Sequence, residues 1–110
     1  MAYLFNLTIE KGFTEEVGVT LDNLLEKYDV SYVFEERVEN EYGYADARKW
    51  CDHEQDMRKI SEELGEDILL LLEVKEEWES DMWKEYYKNG KSATYYPKMV
   101  WDEYSEDDLR

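Results

Sequence analysis

Residues 68–96, ILLLLEVKEEWESDMWKEYYKNGKSATYY, decide the fold of this chain. Ile68 to Val74 is a near-continuous apolar run of strand length, which suits a central strand covered on one face and partly covered on the other. Met82 to Lys88 and Lys91 to Tyr96 are two aromatic-rich runs separated only by Asn89 and Gly90. Asn-Gly between such runs signals a tight type I′ hairpin, because both turn positions need a positive φ. Pro97 has no N–H to give to a ladder, so it bends the chain or marks an edge before the run from Met99 to Tyr104.

Working outward, Tyr3 to Glu10 alternates Tyr3, Phe5, Leu7 and Ile9 with polar residues, the period of a half-buried strand. Thr14 then caps a helix whose stripe is Val17, Leu21, Leu24, Leu25 and Tyr28, loosened locally by Gly18. Val30 to Val38 alternates again, with Val30, Tyr32, Phe34 and Val38 on one face, and predicts a second strand. Glu39 to Tyr44 reads as a polar loop turning at Gly43. A second helix runs from Asp46 or Asp52 to Leu64. Asp52 and Gln55 form its capping box, Met57, Ile60 and Leu64 its buried stripe, and Gly65 its stop. The predicted order is βαβαβββ: one α+β domain over residues 1–110, a ferredoxin-like sandwich with two helices on one face of a mainly antiparallel sheet of four or five strands. Residues 105–110 read as a mobile acidic tail.

The chain has 29 Asp and Glu against 13 Lys and Arg, a net charge of −16, yet 15% of it is aromatic. Disordered acidic segments lack such aromatic content, so the charge belongs to a folded body. Sixteen charges correspond to roughly 27 Å of duplex DNA at one charge per about 1.7 Å, close to the length of a domain this size. Such a surface repels nucleic acid and anionic lipid, which leaves a basic protein surface as the natural partner. A single cysteine, Cys51, excludes an internal disulfide and fits a reducing cytoplasm; the start carries no secretory signal pattern.

Sites for chemistry are sparse. There is no phosphate loop, dinucleotide turn, paired histidine or EF-hand spacing. Cys51, Asp52, His53 and Glu54 are adjacent at a helix start and point in different directions, so they do not converge on a metal. The expectation is a small buried Cys51, a capping Asp52, and solvated His53 and Glu54, with no catalytic residue, metal or cofactor.

The carboxylates are grouped: Glu35, Glu36, Glu39 and Glu41; Glu62, Glu63, Glu66 and Asp67; Glu73, Glu76, Glu77, Glu79 and Asp81; and Asp102, Glu103, Glu106, Asp107 and Asp108. On an extended segment, residues two apart project to one side at roughly 6.5 to 7 Å. That spacing is close to the separation of successive phosphates along a strand, about twice the 3.4 Å rise. Glu73, Glu77, Glu79 and Asp81 are thus expected to present a phosphate-like row. With Glu76 they form the expected partner contact, with Trp78 or Tyr86 as apolar anchor and Asp102, Glu103, Glu106, Asp107 and Asp108 as a second patch.

Trp50, Asp56, Met57 and Ser61, the Ile68 to Leu72 strand, and Asp81, Trp83, Lys84, Tyr87, Asn89, Gly90 and Lys91 carry a resemblance across about half of the chain. The stretch DxWKxYYxNGK resembles small acidic proteins of phages and mobile elements with a ferredoxin-like fold. The resemblance implies a genomic setting rather than a chemistry. Such proteins include anti-CRISPR and anti-restriction DNA mimics, which implies a non-enzymatic inhibitor acting on a CRISPR effector in the cytoplasm of a bacterial host. The competing expectation is a protein-interaction or assembly module, homodimeric through an exposed hairpin face.

Overall fold

The computed structural model describes residues 2–78, 81–97 and 104–109. Its elements are β1 (Tyr3–Lys11), α1 (Glu15–Lys27), β2 (Glu41–Tyr42), α2 (His53–Leu64), β3 (Leu69–Glu76), β4 (Met82–Lys88) and β5 (Lys91–Tyr95), with 3-10 turns at Ser31–Val33 and Glu106–Asp108. The strands form one antiparallel sheet in the order β2-β1-β3-β4-β5. The fold is α+β with the element order βαβαβββ.

Period-2 alternation builds the core. Phe5, Leu7 and Ile9 of β1 and Leu70, Leu72 and Val74 of β3 are buried on the same side as Tyr87 of β4. Leu21, Leu24 and Leu25 of α1 and Met57 and Ile60 of α2 pack on that side, so both helices cover one sheet face. On the opposite, open face Thr8 and Leu71 are buried while Glu73, Lys75 and Lys84 are exposed among the described residues. Burial of each such side chain contributes roughly 1.5 to 3 kcal/mol, offset by the entropy of ordering the chain. The Thr14 hydroxyl accepts the Val17 N–H at 3.1 Å and fixes the start of α1, a cap worth about 1 kcal/mol.

Asn89 and Gly90 turn the hairpin with φ of 47° and 79°, the positive pair a type I′ turn requires. The turn is also pinned to α2: the Gly90 N–H donates to Ser61 Oγ at 3.0 Å, and Arg58 Nη1 donates to the Gly90 carbonyl at 3.1 Å.

Residues 30–38 do not form the expected second strand. Val30, Val33 and Phe34 are buried while Tyr32 and Val38 are exposed. That spacing follows the 3-10 turn at Ser31–Val33, and the apolar positions of this stretch satisfy a helical period as well as an alternating one. The chain then reverses through Val38 and Glu41, which exchange two backbone hydrogen bonds of 3.0 Å. The strand that pairs with Leu7 and Thr8 falls inside the segment expected to be a loop, with Tyr42 buried against Phe34.

Other local expectations also change. Asp52 is the N-cap of α2 but makes no side-chain capping bond; the helix start is held by Trp50, whose Nε1 donates to Asp56 Oδ2 at 2.9 Å. Trp50 takes the buried position at this corner, which leaves Cys51 exposed rather than buried. β5 ends at Tyr95. The expected run from Met99 to Tyr104 lies outside the described residues apart from Tyr104. Among the described residues no helix is long and apolar enough to cross a membrane.

Candidate functional site

The charge is unevenly distributed over this scaffold. Residues 14–46 hold ten carboxylates and only two cations, Lys27 and Arg37. Both cations are consumed in ion pairs. Lys27 Nζ lies 2.7 Å from Glu63, and Arg37 reaches Glu15 at 2.6 Å and Asp22 at 3.4 Å while donating to the Glu39 carbonyl. The Arg37 side chain is only 10% exposed, so this network joins α1 to the turn before β2. Its guanidinium is held further into the charged range, first by the hydrogen bond to Glu15, then by Asp22, against the cost of burial.

Gly18 explains how Arg37 fits. A Cβ at this helical position would stand 2.6 Å from Arg37 Cζ. The glycine that weakens α1 in isolation makes room for the cation that ties it down. Beside this network Glu26, Glu35 and Glu36 line a cleft of about 340 Å³ with Phe34 and Tyr42. The Tyr42 hydroxyl donates to Asp22, and burial first, then that hydrogen bond, raises its pKa. Among the described residues no cation lies within 4 Å of the side-chain carboxylates of Glu26, Glu35, Glu36, Glu39 or Glu41. These carboxylates form the acidic edge of the molecule.

The expected row along residues 73–81 is arranged differently. Glu73 lies on the open sheet face, in register with Asn6 on one side and Lys84 on the other, and Lys75 occupies the next position on its own side. Cations therefore interrupt the row. Glu76 alternates to the helix side and is half-buried. Glu77 and Trp78 follow in a bend, with Trp78 87% exposed. Asp81 is exposed, and its carbonyl accepts the Glu76 N–H at 3.0 Å. Tyr86 is half-buried on the open face, its ring 5.8 Å from that of Tyr95. Glu106 and Asp107 are exposed in the last 3-10 turn, which also contains Asp108. Glu79, Asp102 and Glu103 lie outside the described residues.

The most constrained ionisable group is Glu85, absent from the sequence-derived candidates. It alternates to the helix side of β4, opposite Leu72, and is 4% exposed. Its carboxylate accepts from His53 Nε2 at 2.9 and 3.0 Å, from Trp83 Nε1 at 2.6 Å, and from the Tyr87 hydroxyl. His53 Nδ1 is 3.2 Å from the Trp50 carbonyl. Both ring nitrogens thus face acceptors, the arrangement of a doubly protonated imidazolium, and His53 is half-buried rather than solvated. Burial lowers its pKa, but the Glu85 hydrogen bond and charge and the Trp50 carbonyl outweigh that, and the net direction is upward. For Glu85, burial raises the pKa and the donors from His53, Tyr87 and Trp83 outweigh it, so the net direction is downward. In its protonated form, with both nitrogens donating, His53 has no lone pair for proton abstraction or for a metal.

No protein-family model, curated protein or solved structure matches this chain. Its own chemistry carries the functional case. Among the described residues no three His, Cys, Asp or Glu side chains converge as a metal site. The structure brings together the Glu85 cluster in the interior and the carboxylates of the α1–β2 edge on the surface; of residues 73–81 it sets Glu73 on the open sheet face beside Lys84 and Glu76 on the helix side, while Glu79 lies outside the described residues.

Proposed function

We propose that this protein is a non-enzymatic binder of a basic, nucleic-acid-binding surface on another protein, and that it occupies that surface with its acidic α1–β2 edge in place of nucleic acid. One observation carries this reading: the edge concentrates ten carboxylates, and among the described residues Glu26, Glu35, Glu36, Glu39 and Glu41 have no cation within 4 Å of their side-chain oxygens. Solubility needs a net charge of only about 2 to 8 on a small domain, and crowding like charges on one edge costs stability. A surface rich in Lys and Arg offsets that cost on binding and is drawn in quickly by electrostatic steering. The exposed Trp78, flanked by Glu77, is a second contact of the kind that anchors interfaces.

The resemblance to small acidic phage proteins supplies the setting. The target is a CRISPR effector of a bacterial host, and the protein acts in its cytoplasm as an anti-CRISPR DNA mimic. The test is competition between this protein and target DNA for a guide-loaded effector. Displacement of DNA by the native chain, and its loss on reversing Glu35, Glu36, Glu39 and Glu41 to Lys, is the expected result. DNA loading unaffected by the native chain would remove this target, and an unchanged competitor after reversal would remove the edge as the contact.

A further inference from the structure

The sheet face turned away from the helices differs in character from the acidic edge. Three cross-strand rows build it: Asn6, Glu73, Lys84 and Tyr95; Leu4, Lys75 and Met82; and Thr8, Leu71, Tyr86 and Ala93. Over the first two rows runs a groove of about 620 Å³ lined by Leu4, Met82, Tyr95 and Tyr96 together with Lys75 and Lys84, a size typical of binding clefts. Residues 82–97 contain Lys84, Lys88 and Lys91 and a single acid, Glu85, which is buried beneath the opposite face. No carboxylate lies within 4 Å of Lys75, Lys84, Lys88 or Lys91 among the described residues. Glu73 also lines the groove, so the face carries two lysines against one carboxylate there, and is aromatic and locally positive on a chain of charge −16.

Its complement is a short acidic segment with apolar ends, and this chain contains one. Tyr104 and Leu109 are 70% and 66% exposed on either side of Ser105, Glu106, Asp107 and Asp108. The segment is partly pre-shaped, since the Leu109 N–H donates to the Glu106 carbonyl at 3.0 Å and Ser105 Oγ accepts the Asp107 N–H at 3.4 Å.

We infer that the open sheet face receives residues 104–109 of a second copy of this chain, in a reciprocal two-fold dimer. Lys75 and Lys84 meet Glu106 and Asp107, and Tyr104 or Leu109 enters the apolar groove. Two-fold exchange closes the assembly, and the first contact makes the second intramolecular, raising its effective concentration to about the millimolar range. The groove reaches Tyr44, next to the β2 edge proposed to meet a basic partner, but dimer formation is read with no partner present, so its failure is distinguishable from the failure of that function.

Sedimentation equilibrium of the full chain over a wide concentration range tests it. The native chain should pass from monomer to dimer mass. A face variant, Lys75→Glu with Lys84→Glu, and a segment variant, Glu106→Lys with Asp107→Lys, should each weaken association by more than tenfold. All four positions lie on the surface, and circular dichroism checks that each variant keeps the fold. Mixing the two variants restores both oppositely charged contacts and should restore the dimer. A native chain that stays monomeric, variants that dimerise like the native chain, or a mixture that remains monomeric would each overturn the inference.

Discussion

Replacing Glu85 by Ala should cost far more than any surface carboxylate on this chain. The side chain is 4% exposed and accepts from His53, Trp83 and Tyr87, so truncation leaves a half-buried imidazolium and a fully buried phenol without their acceptor. Breaking one side of such a buried pair costs roughly 3 to 5 kcal/mol, a large share of the 5 to 15 kcal/mol typical of a domain. At about 4 to 8 °C per kcal/mol, Tm should fall by more than about 10 °C. Glu85→Gln keeps one acceptor but turns an amide N–H₂ toward donors, and should cost about half as much. The triple change His53→Leu, Glu85→Leu and Tyr87→Phe removes the imidazole and the phenol together with the carboxylate and leaves only the half-buried Trp83 N–H without its acceptor. It should be milder than Glu85→Ala, because well-packed apolar replacements of buried ion pairs are often near neutral. Urea unfolding followed by tryptophan fluorescence and circular dichroism measures all three. A loss below about 1 kcal/mol for Glu85→Ala, or a triple variant less stable than the single one, would refute the reasoning.

Two further perturbations follow from the same structure. The His53 pKa is raised by folding, so its contribution to stability is full below about pH 6.5 and is lost as pH rises through the folded value. The Glu85 pKa is lowered, so its contribution is present above about pH 4.3 and lost as pH falls through the folded value. The stability gap between the native chain and His53→Gln should therefore be widest between those two limits and narrow on the alkaline side; denaturant titrations that show a constant gap into the alkaline range contradict the pairing. Gly18→Ala should destabilise, although the same change in a free helix gains about 1 kcal/mol. The new Cβ would stand 2.6 Å from Arg37 Cζ and displace the guanidinium from Glu15 and Asp22, a loss of about 1 kcal/mol or more; a rise in Tm would show that Arg37 does not depend on this seat.

Much of the fold is legible in local pattern. The alternation in β1, the apolar run of β3 and the Asn89-Gly90 turn each name their own structure, because strand period and turn chemistry act over a few residues. Residues 30–38 were not legible in the same way, since Val30, Val33 and Phe34 satisfy a helical period and Val30, Tyr32 and Phe34 an alternating one. Tertiary packing of Phe34 against Tyr42 and Trp50 decides between them. Burial at the corner of α2 likewise goes to Trp50, which turns Cys51 outward. Glu85 had a signal that charge obscured: it alternates with Trp83 and Tyr87 in MWKEYYK, so it shares the covered side with two aromatic donors. The acids of residues 73–81 form a group along the chain, but only the register across β3 and β4 reveals that Lys84 stands beside Glu73.

The contact proposed above sets the acidic α1–β2 edge against a basic surface built for nucleic acid. Competition with DNA for a guide-loaded CRISPR effector, repeated from roughly 50 to 200 mM salt, tests it most directly. Displacement by the native chain should weaken steeply with salt and be abolished when Glu35, Glu36, Glu39 and Glu41 are reversed to Lys. Binding that ignores salt, or displacement that survives the reversal, would contradict it.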